Sequence, residues 1–456
     1  MKKNRRDISN KSINIRRISI SICLCLSVIL KLGVPVSAEV SEADAYYEIG
    51  TGNGIGTYDY DDLLSRYRTN SIAYKRNMLE YQIQVFNSNL EDENHSNINI
   101  QHLNVLERIE ELEQAKKALI EYKKVLLSQK TQMVTGSAIT IDNTLADNKQ
   151  EQINEIDTQI MSIDSQLLQY NSTKSSVEVN LSEARLSKNI SSFYSSHQGM
   201  IENEARRKME NDFLKQCYSL IIYQEQLDYY KAYNGYLTVL READSIRYRY
   251  GLVTDIVLDA DEVNILHNQG TINENVNSYK AEINAIKNDT GIIDEPIIRL
   301  ELFYYKNVYD LENTIQEFIY RNSGYQQIRN YISSYQEYRD TAKTSSYTSN
   351  RQTEARIEYY KLQKEELEDS IGAYVTKAVN SYEKAIISRD ASWKELQVKN
   401  NQYNAYVTKY KYKRASQLDV AKMLYEKEAA ELAYYQCCYD IVIWQDIIDN
   451  CIYGEQ

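Results

Sequence analysis

Proline stands only at positions 35 and 296, and four of the 14 glycines fall in the single run Gly50 to Gly56, so the body of this 456-residue chain holds almost no helix breakers. Very long helices follow. Phenylalanine and tryptophan are scarce as well, at 5 and 2 residues against 41 tyrosines, and the tyrosines recur at helical spacing, as in Tyr218, Tyr223, Tyr230 and Tyr233. That pattern suits wet helix interfaces, where the ring packs and the hydroxyl reaches water, and carries no chemistry of its own. Only four histidines occur (His95, His102, His197, His267), and they form no H-E-x-x-H or other metal-binding pair. With no G-x-S-x-G, and with the carboxylates at solvated helix positions, nothing marks an enzyme or a cofactor site. Beyond position 38 four cysteines remain, Cys217, Cys437, Cys438 and Cys451, scattered apart from one vicinal pair. They make neither a disulfide framework nor a zinc site and read as buried helical residues.

The N-terminus has the order of a targeting segment. Seven Lys or Arg among the first 17 residues precede an apolar run from Ile18 to Leu30, and Val36-Ser37-Ala38 offers small residues for cleavage after Ala38. The run is short for a bilayer span, and Cys23 and Cys25 lack the small preceding residue of a lipoprotein signal. Residues 1–38 hold eight basic residues and one acidic residue. Removing them takes the chain from −12 (53 basic, 65 acidic) to −19 (45 against 64). An exported chain this acidic has no electrostatic reason to bind nucleic acid. Residues 39–59 read as a flexible, acidic and Gly-rich leader; GTGNGIG follows no apolar strand and is not spaced as G-x-G-x-x-G.

Two internal repeats organise the rest. RYRYGLVTDI (247–256) and KYKYKRASQL (409–418) share basic-Tyr-basic-Tyr followed by a small hydroxyl residue, Thr254 or Ser416, at an offset of 162. Long helical sequence flanks each copy, so each is a tight turn at the tip of a helical hairpin. Upstream lie two half-starts, DDLLSRYRTNS ending at Asn70-Ser71 and ENTIQEFIYRNS ending at Asn322-Ser323, offset by 252. From Asn70 to Gly251 is 181 residues and from Asn322 to Lys413 is 91, so the first half carries an insertion at about 89–180. Ile153, Ile156, Ile160, Ile163, Leu167 and Tyr170, continued by Val177, Leu181 and Ala184, follow an a/d spacing, as Val105, Ile109, Leu112, Leu119 and Leu126 do more loosely. The insertion is thus two coiled-coil arms, joined by a loop around Gly136 with a short β-like run. Helices are expected at about 60–88 (capped by Asp59 or Asp61 and ended by NLEDENHSN), 200–249, up to Gly291, 298–340, 354–411 and 417–452. A Ser-rich weak point lies at 191–199, and Pro296 marks the junction between halves.

The half-starts and tips resemble the TolC-like outer-membrane efflux protein family. The family's tip pattern places an aromatic residue three before Gly, then a small hydroxyl residue, Leu, Asp and Val; the second tip matches with Tyr410, Ser416, Leu418, Asp419 and Val420, Lys413 standing for Gly. The first tip matches with Tyr248, Gly251 and Thr254, followed by Leu258-Asp259-Ala260. The resemblance implies an all-α frame of long antiparallel hairpins in two pseudo-repeats, 60–291 and 292–456, a homotrimer closing into a helical tunnel, and tips that dock a periplasmic-type adaptor and an inner-membrane transporter. It also implies a β-barrel hairpin in each half. Here the second-half site holds only TAKTSSYTSN and the first the coiled-coil arms, whereas a spanning strand needs about 9–11 residues, so little or no barrel is expected. By the resemblance Tyr410 is a constricting residue and Thr254-Asp255 a tip pair, while the family's second-tip arginine falls on Ala415, beside Arg414; Asp255 and Arg414 are candidates to latch neighbouring hairpins. The function implied is a non-enzymatic, exported component of a cell-envelope efflux or export complex, in the outer membrane by resemblance. The alternative is an envelope coiled-coil scaffold without transport.

Overall fold

The computed structural model describes residues 46–49, 57–135, 143–293, 297–302, 307–342 and 347–454. The targeting segment, the GTGNGIG run, the loop around Gly136, Pro296 and part of TAKTSSYTSN lie outside them. Among the described residues there are nine helices: α1 (Tyr60–Asn70), α2 (Ile72–Thr135), α3 (Asn143–Ser196), α4 (Gln198–Arg249), α5 (Asp255–Thr290), α6 (Leu311–Arg321), α7 (Ser323–Thr341), α8 (Tyr347–Lys411) and α9 (Gln417–Asp449). Three short strands, β1 (Tyr46–Ile49), β2 (Thr57–Asp59) and β3 (Ile297–Glu301), form one sheet in the order β1-β3-β2. The fold is all-α, built of long antiparallel helical hairpins, with no closed barrel among the described residues. No described helix is long and apolar enough to cross a membrane.

The half-starts are real, with one shift. Each begins at an aspartate N-cap whose carboxylate accepts a backbone N–H three residues on: Asp62 N–H to Asp59 at 2.9 Å, Asn313 N–H to Asp310 at 3.0 Å. Each runs eleven residues and ends at an extended residue, Ser71 (φ −61°, ψ 124°) or Asn322 (φ −79°, ψ 115°). The elements therefore repeat at 251, Tyr60 to Leu311 and Ser71 to Asn322, one less than the Asn-Ser pairs suggest. Ser71 serves both helices it separates. Its N–H donates to the Tyr67 carbonyl at 2.9 Å and its hydroxyl donates to Asp289 at 2.8 Å, leaving it fully buried.

Three expectations give way. NLEDENHSN does not end a helix: α2 runs through it to Thr135, because Asn, Asp and Glu weaken a helix by only a few tenths of a kcal/mol each and neither Gly nor Pro interrupts them. The segment read as leader contributes β1 and β2 to the sheet. Residues 297–301 are strand rather than the start of a helix; the alternation in IIRLE buries Ile298 and Leu300 completely, and Ile298 lies opposite Ile49 in register. The tip turns and the boundary at His197, between α3 and α4, fall where expected.

The chain divides into two compact units. The first comprises residues up to Leu79, Glu202–Asn322 and Asp369 onward. Its core gathers Leu63, Phe213, Cys217, Leu220, Tyr382 and Ile447, with Tyr67 stacked on Phe213 at 4.3 Å, and the Tyr218 hydroxyl donating to the Glu301 carbonyl at 2.7 Å fixes β3 on α4. The second comprises Glu80–Ile201 and Ser323–Glu368. Here the coiled-coil arms pair as their spacing requires: Leu126, Ile153 and Ile156 form a buried cluster joined by Leu119 and Ile160. Lys116 to Asp164 and Lys123 to Asp157 cross-link the arms at their rim. α3 also packs on α7, where Asn330 donates to the Asn189 and Ile190 carbonyls at 3.1 and 3.2 Å.

Candidate functional site

The tips of the α4–α5 and α8–α9 hairpins have one backbone design, repeated at 162. Both close a helix with paired 5→2 and 6→1 hydrogen bonds: Gly251 N–H to Tyr248 O and Leu252 N–H to Arg247 O, both 2.9 Å, in the first; Lys413 N–H to Tyr410 O at 2.9 Å and Arg414 N–H to Lys409 O at 2.8 Å in the second. That closure requires a left-handed residue after the helix. Gly251 supplies it at φ +69°, and Lys413 adopts it at φ +57° despite its Cβ. Extended N-caps then open the next helices. Ser416 forms a full capping box with Asp419, whose N–H donates to the Ser416 hydroxyl at 3.1 Å while the Ser416 N–H donates back to its carboxylate at 2.9 Å. These bonds hold the Asp419 carboxyl below its usual range. Thr254 makes no side-chain cap bond, and Asp255 accepts from the Ile256 N–H at 3.0 Å instead.

The two tips lie at one end and at one level. α4 and α9 run antiparallel: Arg207 donates to the Asn450 carbonyl at 3.1 Å, Asn211 to Asp446 at 2.7 Å, and the Tyr236 and Tyr425 rings meet at 4.9 Å. Carried forward, that register sets Tyr250 against about residue 411, within one helical turn of the second tip. Arg241 to Glu262 at 2.7 Å and Lys399 to Glu426 at 2.8 Å tie each hairpin to itself. Tyr248, Gly251, Thr254, Asp255, Tyr410, Arg414, Ser416 and Asp419 are all exposed and clustered at this end. Within the chain Asp255 and Arg414 form no ion pair among the described residues.

One feature of the first hairpin escaped the sequence reading. Along α5 every seventh residue is polar and turned inward: Asp261, Asn268, Asn275, Glu282, Asp289. Asn268 donates to the Tyr230 carbonyl at 3.0 Å, Asn275 to Gln226 at 2.8 Å, and Asp289 accepts from Ser71. Asp261 differs in its charge. One of its carboxylate oxygens, like the Asn275 Oδ1, is buried without a hydrogen bond, and burial, then the neighbouring Asp244 charge, raise its pKa. The strict seven-residue spacing was there to be found in the sequence. It sets the register of the two helices, as a polar residue in a coiled-coil seam does.

The described residues bring one trio of carboxylates within 4.8 Å, Glu225, Glu428 and Glu431. Lys427 donates to Glu428 and Glu431 at 2.9 and 3.0 Å, and the Tyr47 hydroxyl to Glu225 at 2.7 Å. With an ammonium already among them, the trio works as a buried polar cross-link of β1, α4 and α9.

No protein-family model and no curated protein matches the chain. Among solved structures it is similar to the Campylobacter jejuni CmeC outer membrane channel, with TM-score 0.41 and 11% identity, covering 59% of this chain and 67% of that one. It is similar also to the open state of the Neisseria gonorrhoeae MtrE outer membrane channel, with TM-score 0.41, 12% identity and coverage of 59% and 71%. A third similar structure is the outer membrane protein VceC from Vibrio cholerae, with TM-score 0.39, 11% identity and coverage of 59% and 76%.

Proposed function

We propose that this chain is a non-enzymatic, TolC-like component of a cell-envelope efflux or export complex, a helical conduit whose doubled tip is its docking end. The observation that carries this reading is the tip pair itself. Two turns with the same hydrogen bonds, a left-handed residue at the same place and the same N-cap position, 162 residues apart and level in space, are what a twofold-repeated conduit subunit needs at its mouth. The chain is exported, with the adaptor and inner-membrane transporter meeting residues 248–258 and 410–420.

A single subunit leaves apolar stripes in water. Ile83, Phe86 and Leu90 in α2 keep a/d spacing and stay exposed, Phe86 by 64%. Self-association as a homotrimer covers such stripes. The long coiled-coil arms of the insertion favour a second reading, an envelope scaffold without transport. Planar-bilayer conductance of the purified protein, with sedimentation for its mass, separates the two. A trimer that conducts supports the conduit; a monodisperse monomer, or an assembly silent in the bilayer, refutes it. In cells, Asp255→Ala, Tyr410→Phe and Arg414→Ala reduce export at unchanged protein level if the tips dock, whereas silent tip changes beside disabling arm changes leave the scaffold.

A further inference from the structure

We infer that the doubled tip is a contact surface for an anionic lipid bilayer. The chain carries 65 acidic residues against 53 basic ones, yet Arg247-Tyr248-Arg249-Tyr250 and Lys409-Tyr410-Lys411-Tyr412-Lys413-Arg414 contain six basic residues and no acidic one. Folding brings these two segments to one level at one end of the first unit. Arg249, Lys411, Lys413 and Arg414 enter no ion pair among the described residues, and all are exposed. The nearby acids Asp255 and Asp419 bond to backbone N–H groups and pair with none of these four cations among the described residues. The positive charge at the apex is therefore left for a partner.

The aromatic content says what kind. Tyr250, Leu252 and Tyr412 expose 78%, 73% and 73% of their surface at the turns, alternating with the cations. Tyrosine beside lysine and arginine is the composition that settles at a bilayer interface, rings at headgroup depth and long basic side chains reaching the phosphates. The two pockets near Gly291 and beside Phe213 lie away from the turns. A basic and aromatic apex made of two hairpin turns fits a plane of anionic headgroups. The same charge could meet an acidic polypeptide, which the test below separates.

This inference deepens the docking reading and rests on it for the direction in which the tips face. The test is co-sedimentation of the full chain with phosphatidylcholine vesicles, with and without phosphatidylglycerol. Binding is expected only to the anionic vesicles, lost at high salt, and weakened by about fivefold for each of R249Q, K411Q, K413Q and R414Q. Tyr250→Ser and Tyr412→Ser weaken it at every salt concentration, while K117Q and K124Q in the arms leave it unchanged. Equal binding to neutral vesicles, tip variants that bind like the parent, or displacement of the protein from vesicles by polyglutamate that it binds more tightly would overturn the inference. Vesicle binding is read without transport. A chain that conducts yet ignores anionic vesicles overturns this inference alone; one that binds them and never conducts overturns the conduit reading alone.

Discussion

Replacing Asp261 by asparagine should stabilise the first hairpin at neutral pH, although it removes a charge from a helix. Asp261 is 7% exposed, one carboxylate oxygen is unbonded, and the charged groups around it are Asp244, itself held by Arg247 at 2.8 Å, and Arg241, engaged with Glu262. Burial and then Asp244 raise its pKa, and Arg241 opposes them only partly. A carboxyl with a raised folded-state pKa binds its proton more readily folded than unfolded. Its penalty is absent below the unfolded value, near 4, and grows as pH rises towards the folded one. A buried polar group left unbonded costs about 1–3 kcal/mol, so Asp261→Asn, which extends the Asn268–Asn275 ladder, should gain about 1 kcal/mol at pH 7 and nothing near pH 4. Hydrogen exchange of the amides between residues 256 and 268, read at both pH values, reports this locally. Faster exchange in the variant at pH 7, or a gap that does not change with pH, would refute the reasoning.

Gly291→Ala should cost more than Gly251→Ala. Both sit near φ +70°, worth about 1–2 kcal/mol for any Cβ, but at Gly291 the new carbon stands 3.1 Å from Asn70 Nδ2, which donates to the Thr290 carbonyl, while at Gly251 it meets nothing. The difference, about 1 kcal/mol, should vanish in an Asn70→Ala background when thermal midpoints are compared. Lys413→Gly relieves the left-handed strain of the second tip and should stabilise it by roughly 0.5–1 kcal/mol, seen as a raised denaturation midpoint. Leu126→Ala empties part of the buried cluster between the arms and should cost about 2–5 kcal/mol, seen as a separate early loss of helical circular dichroism.

Much of this architecture is legible without coordinates because it is local. Asp59 announces a helix start by its own side chain, the 162-residue repeat carries its turn chemistry with it, and the arms show their seam at Ile153, Ile156 and Ile160. What stays hidden depends on partners far away in sequence. β1 has four residues and is a strand only because Ile298 and Leu300 pair with it from about 250 residues downstream. Ser71 marks the end of a half-start in the sequence, but nothing there shows that Asp289 accepts its hydroxyl hydrogen. The tip repeat could be aligned, but only the contacts of α4 with α9 show that the two turns share one level.

The same contacts point to which tip moves. α5 buries Asp261, Asn268, Asn275 and Thr290 and only one aliphatic residue, Ile286; α9 buries Ala430, Cys438, Ile441, Ile443, Ile447 and Ile448 around a single polar residue, Glu431. A buried aliphatic side chain contributes about 1.5–3 kcal/mol, whereas a satisfied hydrogen bond nets only about 0.5–1.5. α5 is therefore held to its hairpin by the weaker set, and its local opening should lie several kcal/mol below that of α9. On native-state hydrogen exchange of the full chain, mid-helix amides of Asp255–Thr290 should exchange on the order of a hundredfold faster than those of Gln417–Asp449, since about 2.7 kcal/mol suffices for that ratio. Asn268→Leu with Asn275→Leu should close the gap if polarity at the seam causes it. Equal protection of the two helices in the parent chain, or a gap that survives the leucine pair, would show that the polar ladder does not set the mobility of the first tip.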